Sequence, residues 1–184
     1  MTKLDKAAFQ GIKDFERHEA TIPVSHFDFR MQFKDNCLNC PEYGKNLSCP
    51  PHSPGFKDFI GGLEQAKVIC LRLSLDKLGH LPVERRARAA HDMLSSSLTD
   101  ILLKERRAGY LIAGAGACNA CRECPLEKGG RVCVKPEEQI FSLESLGVNI
   151  SSLLEKCFHL KLEWLKLHHE ARHICAVGAL FFNR

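Results

Sequence analysis

No run of apolar residues in this sequence approaches the roughly 20 that a membrane-spanning helix needs. The opening residues, Met1-Thr2-Lys3-Leu4-Asp5, lack the apolar stretch of a secretory signal, so a cytoplasmic location is expected. Charge of one sign is also scarce. Lys and Arg number 26 against 22 Asp and Glu, for a formal net charge of +4. So small and scattered a surplus does not call for a nucleic-acid partner. The densest basic patch, Arg85-Arg86-Ala87-Arg88, falls on a predicted helix and reads as a solvated face. Gly114-Ala115-Gly116 lacks the third glycine of a dinucleotide-binding turn. Neither the G-x-S-x-G turn of a hydrolase nor the C-x3-C-x2-C spacing of radical enzymes occurs.

What the chain does have is cysteine: ten in 184 residues. In a reducing compartment, clustered cysteines bind metal or do redox chemistry rather than form structural disulfides. Cys118, Cys121, Cys124 and Cys133 follow the pattern C-x2-C-x2-C-x8-C. Thiols at that spacing cannot all share one face of a helix or a strand. They fit a loop wrapped around a point, with the fourth thiol closing it. Four converging thiolates suit an iron–sulfur cluster or a structural zinc. The triple spacing favours the cluster, because zinc sites usually pair two C-x2-C hooks.

A second group lies upstream. Cys37, Cys40 and Cys49 read C-x2-C-P-x7-C, the pattern repeated by Cys121, Cys124-Pro125 and Cys133. Two similar metal-gripping loops are expected, one with a thiol fewer. The three-cysteine group could hold a second cluster, completed by a non-cysteine group such as His52 or left with an open iron. It could instead share ligands with the other group, or bind zinc with one further ligand. Lys45, Arg122, Lys128 and Arg131 lie within the loops and are expected to be exposed. Cys70, Cys157 and Cys175 stand in apolar surroundings and read as buried structural thiols. His168, His169 and His173 cluster in the tail and are assigned no metal role.

Periodicity supplies the frame. Residues 5–19 suggest a peripheral helix, and 26–33 alternate as a half-buried strand that leads into Cys37. Residues 56–63 suggest a short helix and 67–75 a buried strand. Residues 83–107 repeat apolar positions Ala90, Leu94, Leu98 and Leu102 in a long amphipathic helix. Residues 110–113 form a short strand. Strand, helix and strand make a βαβ unit, with parallel strands and a right-handed crossover. The second cysteine group then sits at a strand's carboxyl end, where sites gather in open sheets. Ser142 could cap a turn ended by Gly147, residues 150–158 look helical, 159–168 are ambiguous, and 174–182 have strand composition. The expectation is a single α/β domain (α+β as alternative) over residues 1–184, with a small mixed sheet and two cysteine-rich loops.

In combination, Cys37-x2-Cys40-Pro41-x-Tyr43-Gly44-Lys45-Asn46-x2-Cys49-Pro50-Pro51, Gly116-x-Cys118-x2-Cys121-x2-Cys124, Cys133-x2-Pro136 and Ser142-x-Glu144-x2-Gly147-x-Asn149 resemble a family of predicted metal-binding proteins, a domain of unknown function. The resemblance runs from about residue 20 onward. It implies metal binding through the cysteines, with iron–sulfur as the expected form, and implies no particular reaction. Ala117 stands where the family pattern has Pro, and Ile140-Phe141 where it has Arg-Pro. Neither is a ligand position. The expected role is electron transfer with one or two 4Fe–4S clusters and a redox protein partner, with no nucleic acid or membrane. An enzyme using a three-cysteine cluster and a zinc-stabilised interaction module are the alternatives.

Overall fold

The computed structural model describes residues 14–163 and 171–183. Five strands form one mixed sheet: β1 (Glu16–Pro23), β2 (Gln65–Ser74), β3 (Leu111–Gly114), β4 (Phe141–Ser142) and β5 (His173–Phe182). Their order across the sheet is β1-β2-β5-β3-β4. Strand β5 is antiparallel to both neighbours, Gln65 facing Phe182 on one side and Leu111 facing Phe181 on the other. Strands β2 and β3 therefore run parallel, as the βαβ reading requires, but the last strand lies between them. The helices are α1 (Phe56–Ile60), α2 (Val83–Glu105) and α3 (Ile150–Phe158). None among the described residues is long and apolar enough to cross a membrane.

Both faces of β2 and β5 are covered, which is why these strands read as continuous apolar runs. Ile69, Leu71, Leu73, Ala176 and Leu180 face α2, whose Ala90, Leu94, Leu98 and Leu102 recur at helical spacing and are fully buried. Each leucine removed from water contributes about 1.5–3 kcal/mol. Ala66, Val68, Cys70, Val177 and Phe181 face the opposite layer, with Phe27, Phe56, Leu143, Leu146 and Leu153. There Phe56 meets Phe27 at 5.2 Å and Phe181 at 5.7 Å between ring centroids. Asn149 caps α3 by accepting the Ser152 N–H at 3.1 Å.

Two expectations fail near the N-terminus. The helix over residues 5–19 falls mostly outside the described residues, and from Glu16 the chain is strand, not helix. The strand over 26–33 is replaced by turns at Val24–His26 and Met31–Cys37. Between them only Phe29 pairs, bridging to Val148. The backbone partners lie elsewhere: Arg30 N–H donates to Gly147 O at 2.9 Å, and Asn149 N–H to Asp28 O at 2.8 Å. This segment is zipped to the turn before α3.

Candidate metal centre

The second cysteine group begins where β3 ends. Gly114 is the last strand residue, and its carbonyl accepts the Leu143 N–H at 3.1 Å. Gly116 follows with φ +74°, and a Cβ there would stand 3.2 Å from His91 Cε1. Both the left-handed backbone and the close approach of α2 call for glycine. Beyond Cys124, a tight turn over Pro125–Lys128 ends at Gly129, and Gly130 N–H returns to Pro125 O at 2.9 Å. That reversal carries Cys133 back. Cys118, Cys121, Cys124 and Cys133 are all half-buried and line one open cavity of about 400 Å³. The fold thus brings together the four thiols that sequence spacing grouped.

The first group rides on successive tight turns: Cys40 N–H to Cys37 O at 2.9 Å, Tyr43 N–H to Cys40 O at 3.0 Å, and Cys49 N–H to Asn46 O at 2.9 Å. Cys37 is half-buried, Cys40 exposed and Cys49 buried. The three lie within electrostatic reach of one another. Burial pushes the Cys49 thiol up to about 11, and Cys40, Glu42 and Cys37 add to the rise while the Ser48 hydrogen bond opposes it. Burial also raises Cys37, with Glu144 and Cys40 contributing and Lys34 opposing. His52, considered as a completing ligand, is exposed. A second cleft of about 460 Å³, lined by Met31, Lys34, Leu38, Tyr43 and Pro51 among others, flanks this group, but none of its lining residues is a cysteine.

The two groups are laced together. Asn46 Nδ2 donates to Cys118 O at 3.0 Å, and Cys118 N–H donates to Ser48 Oγ at 3.0 Å. Asn46 Oδ1 accepts from both the amide and the hydroxyl of Ser48, at 3.0 and 2.9 Å. Between them, Leu47 N–H points at Cys124 Sγ, 3.4 Å away. A backbone amide from the first loop therefore donates to a thiol of the second. Such donors stabilise a thiolate and tune whatever it binds.

Residues outside the cysteine patterns complete the surroundings. Lys34 is buried, and its ammonium donates to Ser53 O at 2.9 Å, Ser53 Oγ at 3.2 Å and Pro54 O at 2.8 Å. These acceptors are all neutral, so a positive charge stands beside Cys37; burial lowers its pKa, and the Cys37 and Asp58 charges oppose that. Glu144 Oε2 and Ser95 Oγ are shielded side-chain atoms without a hydrogen-bond partner. Neither Lys34 nor Ser95 stands in a motif, whereas Glu144 lies within Ser142-x-Glu144-x2-Gly147-x-Asn149. Lys45, Arg122, Lys128 and Arg131 are exposed as expected, with Lys128 paired to Glu123 at 2.7 Å. Of the three thiols expected to be buried, Cys70 is, whereas Cys157 and Cys175 are only half-buried.

Contrary to the expectation that no H-E-x-x-H occurs, the tail spells it from His169 to His173. That motif works on a helix, where its two histidines share a face. His168, His169 and Glu170 lie outside the described residues. His173 opens β5, opposite Ser74, with its Nδ1 3.1 Å from Glu163 Oε1. A strand at His173 does not provide the helical context.

Among the described residues, no three Cys, His, Asp or Glu side chains converge as a single ion demands. One tetrahedral zinc, with Zn–S bonds of about 2.3 Å, draws its sulfurs to within about 3.8 Å of each other. In an iron–sulfur cluster each thiolate meets its own iron, so the sulfurs ring a wider space. Four thiols line the open cavity of the second group, and a backbone amide is aimed at one sulfur.

A family model described as "Predicted metal-binding protein (DUF2284)" matches residues 20–182. No curated protein and no solved structure matches the chain.

Proposed function

Because the chain belongs to this family of predicted metal-binding proteins, we propose that it is an iron–sulfur protein passing single electrons to a protein partner. The observation that carries the reading is that Cys118, Cys121, Cys124 and Cys133 line one cavity. As thiolates they would hold a 4Fe–4S cluster, which when bound supplies a one-electron couple. The chain's own residues prepare the place. Leu47 N–H donates to the Cys124 sulfur. Asn46 and Ser48 fix the backbone of Cys118. Positive charge at Lys34 favours the anionic form of Cys37, against the burial that raises it.

A docking site for a redox protein is supported by apolar side chains flanking the cysteines. Val132 and Val134, either side of Cys133, are 76 % and 69 % exposed, and Leu38, between Cys37 and Cys40, is 56 % exposed. Such exposure suits a small, transient contact of the kind redox partners make. The reading requires neither nucleic acid nor a membrane.

The test is iron and acid-labile sulfide analysis of protein purified without oxygen, with an absorption spectrum before and after dithionite. Iron and sulfide are expected in equal amounts, at about four or more per chain. A visible band should bleach on reduction, and Cys121→Ala should lose the cluster of the second group. Stoichiometric zinc without sulfide overturns the reading in favour of a structural metal.

A further inference from the structure

Cys70, Cys157 and Cys175 lie outside the two motif groups, and two of them meet. Strands β2 and β5 pair so that Cys70 faces Val177 and Arg72 faces Cys175. Directly opposed residues share a face of the sheet, as do residues two apart on one strand. Cys70 and Cys175 are therefore diagonal neighbours on one face, and their side chains hydrogen-bond across the strands. We infer that Cys70 and Cys175 form a redox-active dithiol, a second site apart from the motif cysteines, which hydroperoxides oxidise to a disulfide joining β2 to β5.

The two thiols stand in unlike places, as the two roles require. Cys70 is fully buried in the layer that holds Val68 and Val177, whereas Cys175 is half-buried. A reactive cysteine needs partial exposure, a positive neighbour and thiolate character. Cys175 has all three. The Cys70 S–H donates to the Cys175 sulfur and holds that thiol below its ordinary value; Arg72 adds to this, while burial, Glu163 and Glu16 oppose it. The same bond, with burial, raises the Cys70 thiol, so Cys70 keeps the proton. Arg72 is anchored beside the pair: its Nη1 donates to Oε2 of Glu16, its partner on β1, at 3.0 Å. His18, opposite Cys70 on β1, stands 3.3 Å from the same oxygen and packs on Phe158. Cys157 packs against this layer from α3, but burial raises its thiol, which makes it an internal control.

The chemistry balances without a further reactant. The Cys175 thiolate attacks one peroxide oxygen; an S–O bond forms, the O–O bond breaks, and hydroxide or alkoxide leaves. The Cys70 thiol then gives up its proton and displaces the oxygen from the Cys175 sulfenic acid, which leaves as water while the S–S bond forms. Two thiols and one hydroperoxide thus give one disulfide, one water and one alcohol, or two waters from hydrogen peroxide. The sulfurs close from hydrogen-bond contact to about 2.05 Å.

In the experiment, protein purified without oxygen meets a concentration series of hydrogen peroxide. Each sample is quenched in acid, alkylated with N-ethylmaleimide in denaturant and mapped by peptide mass spectrometry. A Cys70–Cys175 disulfide peptide is expected at peroxide concentrations that leave Cys157 open to alkylation, and dithiothreitol should reverse it. In Cys70→Ala, Cys175 should stop at a sulfenic acid that dimedone traps; in Cys175→Ala, Cys70 should stay reduced. Circular dichroism checks folding, and the map of the native protein decides if a variant does not fold. Cys70 and Cys175 still reduced when Cys157 is oxidised overturns the inference. So does Cys175 joined to Cys157 or to a motif cysteine, or Cys70 oxidised as readily in Cys175→Ala as in native protein. The map counts no iron or sulfide, so its outcome is separate from that of the iron–sulfur reading.

Discussion

Asn46 does more bonding than any other side chain between the cysteine groups. It accepts twice from Ser48 and donates once to Cys118 O, across 72 positions of sequence. Asn46→Ala leaves the buried Ser48 amide without its acceptor, at about 1–3 kcal/mol, and removes the donor to the half-buried Cys118 carbonyl. The expected outcome is a lower denaturant midpoint for the metal-free protein and faster metal loss from the metal-loaded protein to a chelator. A midpoint and release rate equal to native would show that the lacing contributes nothing. The cysteines were legible because ligand spacing is a local property of the chain. The Asn46–Ser48 lacing was not, because it exists only once residues far apart in sequence meet. The same holds for Lys34, an ordinary lysine in sequence, which becomes a buried cation only when Ser53 and Pro54 fold over it.

Elements with a strong apolar stripe or a continuous apolar run announced themselves; those with mainly polar, partly exposed side chains did not. α2 and α3 start where periodicity placed them, and β2 and β5 match their apolar runs. β1 is an edge strand of Glu, Arg and His whose side chains are at most half-buried, so its sequence resembles the surface of a helix. Residues 26–33 do alternate, yet Phe27 and Phe29 reach the aromatic cluster from irregular backbone while Met31 is 65 % exposed. Within β5 the tightest contact is at Gly178. An added Cβ would stand 2.7 Å from Ala113 O and about 3 Å from the α2 leucines 98 and 102, at 3.1 and 3.0 Å. Gly178→Ala forces α2 or β3 away and is expected to destabilise by about 1–3 kcal/mol. Chemical denaturation measures it, and a stability within about 0.5 kcal/mol of native would mean that the helix moves freely on the sheet.

At the scale of the molecule, one charged network ties the edge of the sheet to its helix layer. Lys67 on β2 stands 2.8 Å from Glu19 on β1 and 2.7 Å from Glu105 at the end of α2, and Arg17 stands 2.6 Å from Glu105. The Lys67 hydrogen bond holds the Glu105 carboxyl below its ordinary value. The unfolded chain therefore takes up the proton more readily than the folded one. The stability this contributes is present above the unfolded value of about 4.3 and is lost as pH falls through the lower folded value. Partial exposure limits it to about 1 kcal/mol or less. Glu105→Gln should lower the melting temperature at pH 7, and the gap from native should close below about pH 4. A gap independent of pH would assign the effect to packing instead.

The middle of the sheet is closed by a strand that follows the other four in the described sequence. β5 separates β2 from β3 and holds both in register. A lesion in β5 is therefore felt at a distance: with β2 and β3 no longer joined through it, the Asn46, Ser48 and Cys118 contacts are left to keep the two cysteine loops together.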